Sequence, residues 1–141
     1  MTGCQIEVGD KATDFEHRSF GEELALCQRY FFKTENTDAE YHRYMTLNCD
    51  GATNSRGVYY LPTPMRASPA LSITGAFANY TAGSIRGINS LSINPVYDQS
   101  AGLGFVDVTL FAVTGGGQTA GHSGMLISNN QTSSMSFDAE L

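Results

Sequence analysis

The chain has no tryptophan, few basic residues and no long apolar run. Its 141 residues hold eight Lys and Arg against fourteen Asp and Glu, a formal charge of −6. Such a surface repels phosphate backbones and anionic lipids, so the sequence predicts neither nucleic acid nor membrane as a partner. A membrane-spanning helix needs about 20 mainly apolar residues, and the first residues lack the basic and apolar stretches of an export signal. We therefore expect a protein made in the cytoplasm without membrane contact.

Cysteine and histidine are scarce and scattered. The three cysteines (Cys4, Cys27 and Cys49) are an odd number without Cys-x-x-Cys spacing, which predicts free thiols in a reducing compartment. The three histidines also lie far apart, and no carboxylate or thiol accompanies them at metal-ligand spacing. The sequence therefore predicts no metal site.

Motifs for phosphate or nucleophilic chemistry are incomplete. The segment 115–117 (GGG) lacks the Lys and Ser or Thr that a phosphate-binding loop places before a helix. In the segment 121–124 (GHSG) the serine has the wrong offset for a nucleophile elbow. We therefore expect neither an enzyme nor a bound cofactor. His122, in a glycine-rich loop spanning 114–123, is the remaining functional candidate because loops on rigid scaffolds carry sites.

What the chain does have is turn formers and alternating apolar residues. Gly, Ser, Thr and Asn make up about a third of it, as expected where many turns separate short strands. From Tyr30 onward the apolar period is two, and about eight strands are predicted. Residues 105–113 are apolar on both faces, which indicates a central strand. Gly87 interrupts the alternation of another strand, which indicates a bulge.

One short helix is predicted near the N-terminus. Ser19 and Glu22 form a capping-box pattern, in which each side chain bonds to the backbone of the other residue. Glu22 and Glu23 also lie at the positive end of the helix dipole. Apolar residues recur at helical spacing and are expected to form its buried face: Phe20, Leu24, Cys27 and Phe31.

These elements predict an all-β fold, namely an antiparallel β-sandwich of jelly-roll type with one short N-terminal helix. Residues 19–141 are expected to form a single domain. Residues 1–18 are expected to form an extended arm with an alternating strand around Ile6 and Val8. That strand has to pair with another segment, because a lone strand is not stable in water.

Residues 7–30 (EVGDKATDFEHRSFGEELALCQRY) resemble a segment that recurs in virion structural proteins of tailed bacteriophages. In those proteins a glycan-binding-like sandwich ends in a strand and is followed by an "ELALCQRYY" helix. Residues 61–69 (LPTPMRASP) and 137–141 (FDAEL) also resemble that module, so the resemblance spans nearly the whole chain. It implies a jelly-roll-like module, usually trimeric, at the exposed end of a tail fibre or in a knob on the head.

The resemblance leaves two virion functions open. The first is a homotrimeric capsid decoration (cement) protein that binds the major capsid protein or another virion protein and stabilises the head shell. Its support is size, since 141 residues leave no room for a fibre shaft. The alternative is a tail-fibre or tail-tip receptor-binding module that recognises host-surface glycan. A free-standing lectin outside a virion is a third interpretation.

Candidate contact residues follow from these hypotheses. The sandwich that precedes the arm in the phage module is missing here, so the arm is expected to pair with a neighbouring subunit or to lie on the capsid. Oligomer or capsid contacts are expected at Ile6, Val8, Phe15, Phe31 and Phe32. A ligand or partner loop is expected around Tyr80, Gln118 and His122. Packing is a commoner use of such aromatic residues than sugar stacking.

Overall fold

The computed structural model describes residues 6, 8–11, 14, 17–37, 40–93, 105–113 and 117–140. Within them the chain forms one helix, α1 (Phe20–Gln28), and nine strands. In chain order the strands are β1 (Phe31–Asn36), β2 (Arg43–Cys49), β3 (Ser55–Tyr60), β4 (Ala70–Thr74), β5 (Phe77–Thr81), β6 (Ser84–Ile93), β7 (Phe105–Val113), β8 (Ser123–Ser128) and β9 (Ser133–Asp138). No helix in the described ranges has both the length and the apolar character needed to cross a bilayer.

The strands form two antiparallel sheets. The smaller sheet has the order β1-β9-β4, with β9 paired to both neighbours. The larger has the order β2-β3-β7-β6-β5-β8 and closes into a barrel through the pairing of β2 with β8. The predicted all-β fold with one short helix is confirmed. The central position predicted for residues 105–113 is confirmed as well, because β7 pairs with β3 on one side and with β6 on the other.

The core is built around the inner face of β9. Met135 and Phe137 are fully buried there, and Leu47 of β2 and Leu126 of β8 pack into the same cluster. The ring of Phe137 stacks on that of Tyr59, with centroids 5.2 Å apart. Burial of one such side chain stabilises the fold by about 1.5–3 kcal/mol. The alternation of residues 133–138 is therefore what fixes the inward face of the smaller sheet.

Helix α1 begins as predicted but does not bury the face expected of it. The Ser19 hydroxyl accepts a hydrogen bond from the Glu22 N–H, and the Glu22 carboxylate accepts one from the Ser19 N–H. No residue of the helix is buried, however: Phe20 is 82% exposed and Leu24 is 43% exposed. The prediction of a buried helix face is therefore wrong for the single chain. The helix lies beside β1 at the margin of the fold, where the described residues offer no second layer to cover it.

The predicted bulge at Gly87 is also wrong. The register of β6 is regular through this position, with Gly87 opposite Ala78 of β5 and Ile88 opposite Val113 of β7. The register does shift in β2, between Arg43 and Met45, where the sequence alternates without interruption.

The arm is only partly within the described residues. Ile6 and Val8 are fully exposed, and neither belongs to a strand. Phe15, expected to be an oligomer or capsid contact, lies outside the described residues. The described residues of the arm therefore form no sheet pairing within their own chain.

Candidate functional site

A shallow groove crosses the outer face of the barrel. Strands β2, β8, β5 and β6 are neighbours there. Met125 lies opposite both Thr46 and Tyr80, and Tyr80 lies opposite Ile85. Because paired residues on adjacent strands point to the same face, these side chains share one surface. The groove has a volume of about 230 Å³ and is lined by Tyr41, Arg43, Tyr80, Ile85, Met125 and Ile127.

Tyr41 enters this groove from a strained backbone. Its φ is +61°, in the left-handed region that costs a non-glycine residue about 1–2 kcal/mol. Ser128 of β8 holds the segment in place. The Tyr41 N–H donates to the Ser128 carbonyl at 3.2 Å, and the His42 N–H donates to the Ser128 hydroxyl at 2.8 Å. This anchoring fixes a half-exposed tyrosine ring at one end of the groove.

A β-bulge at Tyr44 directs Arg43 outward. Arg43 pairs with Ile127, whereas Met45 pairs with Leu126, so Tyr44 is the extra residue. Tyr44 turns toward the core, where its hydroxyl donates to the Ser133 carbonyl at 3.0 Å and its ring lies 5.3 Å from that of Phe77. Bulges commonly re-aim side chains next to functional sites. Here the bulge puts Arg43 on the outer face although Leu47 and Cys49, of the same parity, point inward.

Arg43 is the only charged residue that lines the groove. Its side chain is exposed, and it forms neither an ion pair nor a hydrogen bond with any of the described residues. An isolated cation is notable on a chain with a formal charge of −6. The groove therefore presents two tyrosines and one guanidinium that has no counter-ion among the described residues.

A second groove continues from the first on the far side of Tyr80. It has a volume of about 340 Å³, and Tyr80 and Met125 line both grooves. Thr46 and Ser123 add exposed hydroxyl groups, while the Thr81 hydroxyl is engaged as a donor to the Ser123 carbonyl at 2.9 Å. The combined surface is an apolar and aromatic floor with hydroxyls at one end and a cation at the other.

Of the three residues predicted for a ligand loop, only Tyr80 lines this surface. Gln118 is buried, and its side-chain carbonyl accepts a hydrogen bond from the Ser55 hydroxyl at 2.9 Å. His122 is exposed in the turn before β8, and its backbone N–H donates to the Thr119 carbonyl at 3.1 Å. It does not line either groove, although its neighbour Ser123 does.

Gln118 belongs to a buried polar cluster inside the barrel. The Asn79 amide donates to the Ser55 hydroxyl at 3.0 Å, and Ser55 in turn donates to Gln118. The free thiol of Cys49 lies 3.8 Å from the Thr81 hydroxyl. These amides, hydroxyls and the thiol hold one another in place rather than form an acid–base pair. Among the described residues, no group of three His, Cys, Asp or Glu side chains could hold a metal ion.

The exposed apolar side of α1 forms a second surface of interest, which we call the helix face and define as Phe20, Leu24 and Cys27, at helical spacing on one side of the helix. A depression of about 470 Å³ lies on the opposite side of the helix, and its lining includes Leu26 and Thr63. Phe31, at the start of β1, is 46% exposed. Phe32, by contrast, packs into the core with its ring 6.4 Å from that of Phe137.

The predicted oligomer contacts therefore divide into two groups. Ile6, Val8 and Phe31 are accessible to a partner, whereas Phe32 is occupied in the core. Tyr41 and Arg43 were not among the residues predicted for a ligand site, although both line the groove. The left-handed backbone at Tyr41 and the bulge behind Arg43 leave no signal in the alternation pattern.

The chain was compared with protein-family models, with curated proteins and with solved structures, and none of the three comparisons gave a match.

Proposed function

We propose that this protein is a structural component of a tailed-bacteriophage virion, namely a homotrimeric capsid decoration protein of jelly-roll type. One observation carries the proposal. Helix α1 has a well-formed capping box, yet all three residues of the helix face remain exposed. A helix of nine residues is marginal on its own and is normally stabilised by packing of its apolar side. A second copy of the chain would supply that packing.

The strand pairing supports the jelly-roll part of the proposal. The first strand pairs with the last (β1 with β9), and the second pairs with the next to last (β2 with β8). The same two late strands also pair with β4 and β5. This nested pairing is what results when a long antiparallel hairpin is wrapped around a core. Viral capsid and lectin domains use such folds.

The number of exposed apolar groups supports self-association. Besides the helix face, Val58 and Tyr60 of β3 are exposed, Tyr60 at 77%. Burial of each such side chain in an interface contributes up to about 1.5–3 kcal/mol before ordering costs. In a closed symmetric oligomer the same contact recurs in every subunit. A trimer would therefore bury three copies of the helix face.

The arm supplies the attachment in this proposal. Ile6 and Val8 are fully exposed and unpaired within the described part of their own chain. A segment without pairing in its own chain can add as a strand to the exposed edge of another chain's sheet, so the arm would pair with a neighbouring subunit or with a shell protein. Many copies of a modest contact, joined through a trimer, bind far more tightly than one contact alone. That is the physical means by which such a protein would stiffen a shell.

Sedimentation equilibrium of the purified chain and of Phe20→Ser/Leu24→Ser tests the trimer. We expect three subunits for the wild type, and a shift to monomer when the helix face is made polar. Ile85→Ser, which makes the same kind of change on the barrel, serves as the control and should stay trimeric. A monomeric wild type would contradict the proposal.

Counting copies on intact particles separates the two virion functions. Quantitative mass spectrometry and immunogold labelling of phage should find hundreds of copies on the head. A small number of copies at the tail would instead identify a tail-fibre or tail-tip module. Recovery of the chain outside any particle would contradict both virion functions.

A further inference from the structure

We propose that the groove between Tyr41 and Tyr80 binds an acidic saccharide, meaning a sugar unit that carries a carboxylate or a phosphate. The site consists of the two tyrosines, the guanidinium of Arg43 in the same groove, and the hydroxyls of Thr46 and Ser123 in the adjoining groove. It is independent of the helix face and of the proposed trimer. It holds for a protein on the head as well as for one on the tail.

Charge selects the ligand class. Arg43 is the only charged group lining the groove, and it has no counter-ion among the described residues. An arginine guanidinium presents a planar fork of N–H donors that matches a carboxylate or phosphate in a bidentate manner. The described cations that do form ion pairs lie outside the groove: Arg18 with Glu23, Lys33 with Glu35, and Arg56 with Asp50. A ligand with a negative charge would therefore supply the counter-ion that Arg43 lacks among the described residues.

The aromatic residues select a sugar over a bare anion. Tyr41 is 49% exposed and Tyr80 is 37% exposed, so each ring presents an open surface. A pyranose ring has an apolar face of C–H groups that packs on an aromatic ring while its hydroxyls remain at the polar rim. Tyrosine suits such a site because its ring is apolar while its hydroxyl remains solvated.

The dimensions fit a short oligosaccharide. The first groove, at about 230 Å³, is smaller than the pockets of roughly 300–1,000 Å³ that hold drug-sized ligands. It therefore accommodates about one sugar unit. The second groove of about 340 Å³ shares Tyr80 and Met125 with the first, so a saccharide chain can continue past Tyr80. There, the exposed hydroxyls of Thr46 and Ser123 would meet the hydroxyls of the next unit.

The backbone holds this arrangement in place before any ligand arrives. The left-handed Tyr41 is tied to Ser128 by its N–H, and the bulge at Tyr44 sets the direction of Arg43. Strained residues persist where the surrounding structure determines them, and they concentrate at functional sites. A site that is already ordered loses less conformational entropy on binding.

The experiment is a panel of bacterial oligosaccharides on an array, with uronic-acid, phosphate-bearing and neutral members of equal length. Hits are then titrated by calorimetry. We expect binding of acidic members only, and at least about a tenfold loss of affinity in Arg43→Gln and in Tyr80→Ala. Lys33→Gln removes one positive charge on the smaller sheet, and Tyr60→Ala removes an exposed tyrosine of β3. Both control variants should bind like the wild type.

Methyl NMR of methionine gives a readout at the site itself. Met125 lines both grooves and is partly exposed, whereas Met135 is fully buried in the core. The Met125 signal should shift on addition of the best acidic member, while that of Met135 stays in place. Three results would each overturn the proposal: no binding of any acidic member, equal binding of neutral members, or unchanged affinity in Arg43→Gln.

Discussion

The side-chain amide of Asn79 lies in the place that a Cβ on Gly124 would occupy. A Cβ built on Gly124 stands only 3.2 Å from the Asn79 carboxamide carbon, and closer still to its oxygen. Asn79 is fully buried and is held on its other side by its hydrogen bond to Ser55. The amide therefore has no room to retreat, and glycine is required at position 124 for steric reasons.

Gly124→Ala should consequently destabilise the barrel. We expect a loss of about 1–3 kcal/mol in the free energy of unfolding, typical of an overpacked core, as measured by urea denaturation at fixed protein concentration. Gly51→Ala is the matched control, because a Cβ there meets nothing within 4 Å. An equal effect of the two substitutions would contradict the steric explanation.

The buried cluster around Ser55 makes a second prediction. Ser55 accepts from Asn79 and donates to Gln118, and all three residues are buried. Ser55→Ala removes the hydroxyl that accepts from the Asn79 amide and donates to the Gln118 side-chain carbonyl. Each buried polar group that loses its partner in this way costs about 1–3 kcal/mol. We therefore expect a loss of about 2–6 kcal/mol in the free energy of unfolding, measured by urea denaturation. Ser72→Ala, at an exposed strand position, should change stability by less than about 0.5 kcal/mol.

The alternation of the sequence was sufficient to predict most of the strands. Apolar residues on both faces identified β7 with its observed bounds and its central place. The regular alternation near the C-terminus identified β9, whose Met135 and Phe137 face the core. For β9, burial of one face leaves a direct trace in the residue types.

The groove and the exposed helix could not be predicted in the same way. Tyr41 and Arg43 share the parity of the buried Leu47, and only the extra residue at Tyr44 separates outward from inward positions. A bulge is a property of the pairing between two strands, so one strand's alternation does not report it. The spacing of apolar residues in α1 predicts a buried helix face, but it does not show whether the covering residues belong to the same chain or to another.

The capping box at α1 predicts a pH dependence. The hydrogen bond from the Ser19 N–H, followed by that from the Ser19 hydroxyl, lowers the pKa of the Glu22 carboxyl below its ordinary value of 4.5. Because the folded state favours the charged form, this contribution to stability is fully present above about pH 4.5. It is lost as the pH falls through the lowered pKa.

An NMR titration of the Glu22 side chain measures this effect. Ser19→Ala removes the hydroxyl but keeps the backbone donor, so the Glu22 pKa should rise only part of the way toward 4.5. The helix should also fray at a higher pH in this variant, which the amide signals of residues 20–28 would report. Ser72→Ala should leave the titration unchanged, and a Glu22 pKa at or above 4.5 in the wild type would show that the cap is open in solution.

The strained backbone at Tyr41 allows stability and ligand binding to be separated. Asparagine tolerates the left-handed region better than tyrosine, so Tyr41→Asn relieves strain of about 1–2 kcal/mol while it removes the packing of a half-exposed ring. The two effects oppose each other, and we expect the free energy of unfolding to stay within about 1 kcal/mol of the wild type. Binding of the acidic saccharide should nevertheless fall, because one of the two rings is gone.

Ala82→Asn supplies the comparison for strain alone. Ala82 has a φ of +49° and precedes Gly83 in the two-residue turn between β5 and β6, and its side chain is only a methyl group. The substitution creates the Asn-Gly pair that such turns favour, so the free energy of unfolding should rise by about 1 kcal/mol. If Tyr41→Asn instead lost stability as severely as a core truncation, about 2–5 kcal/mol, Tyr41 would be a structural residue whose ring the fold itself requires.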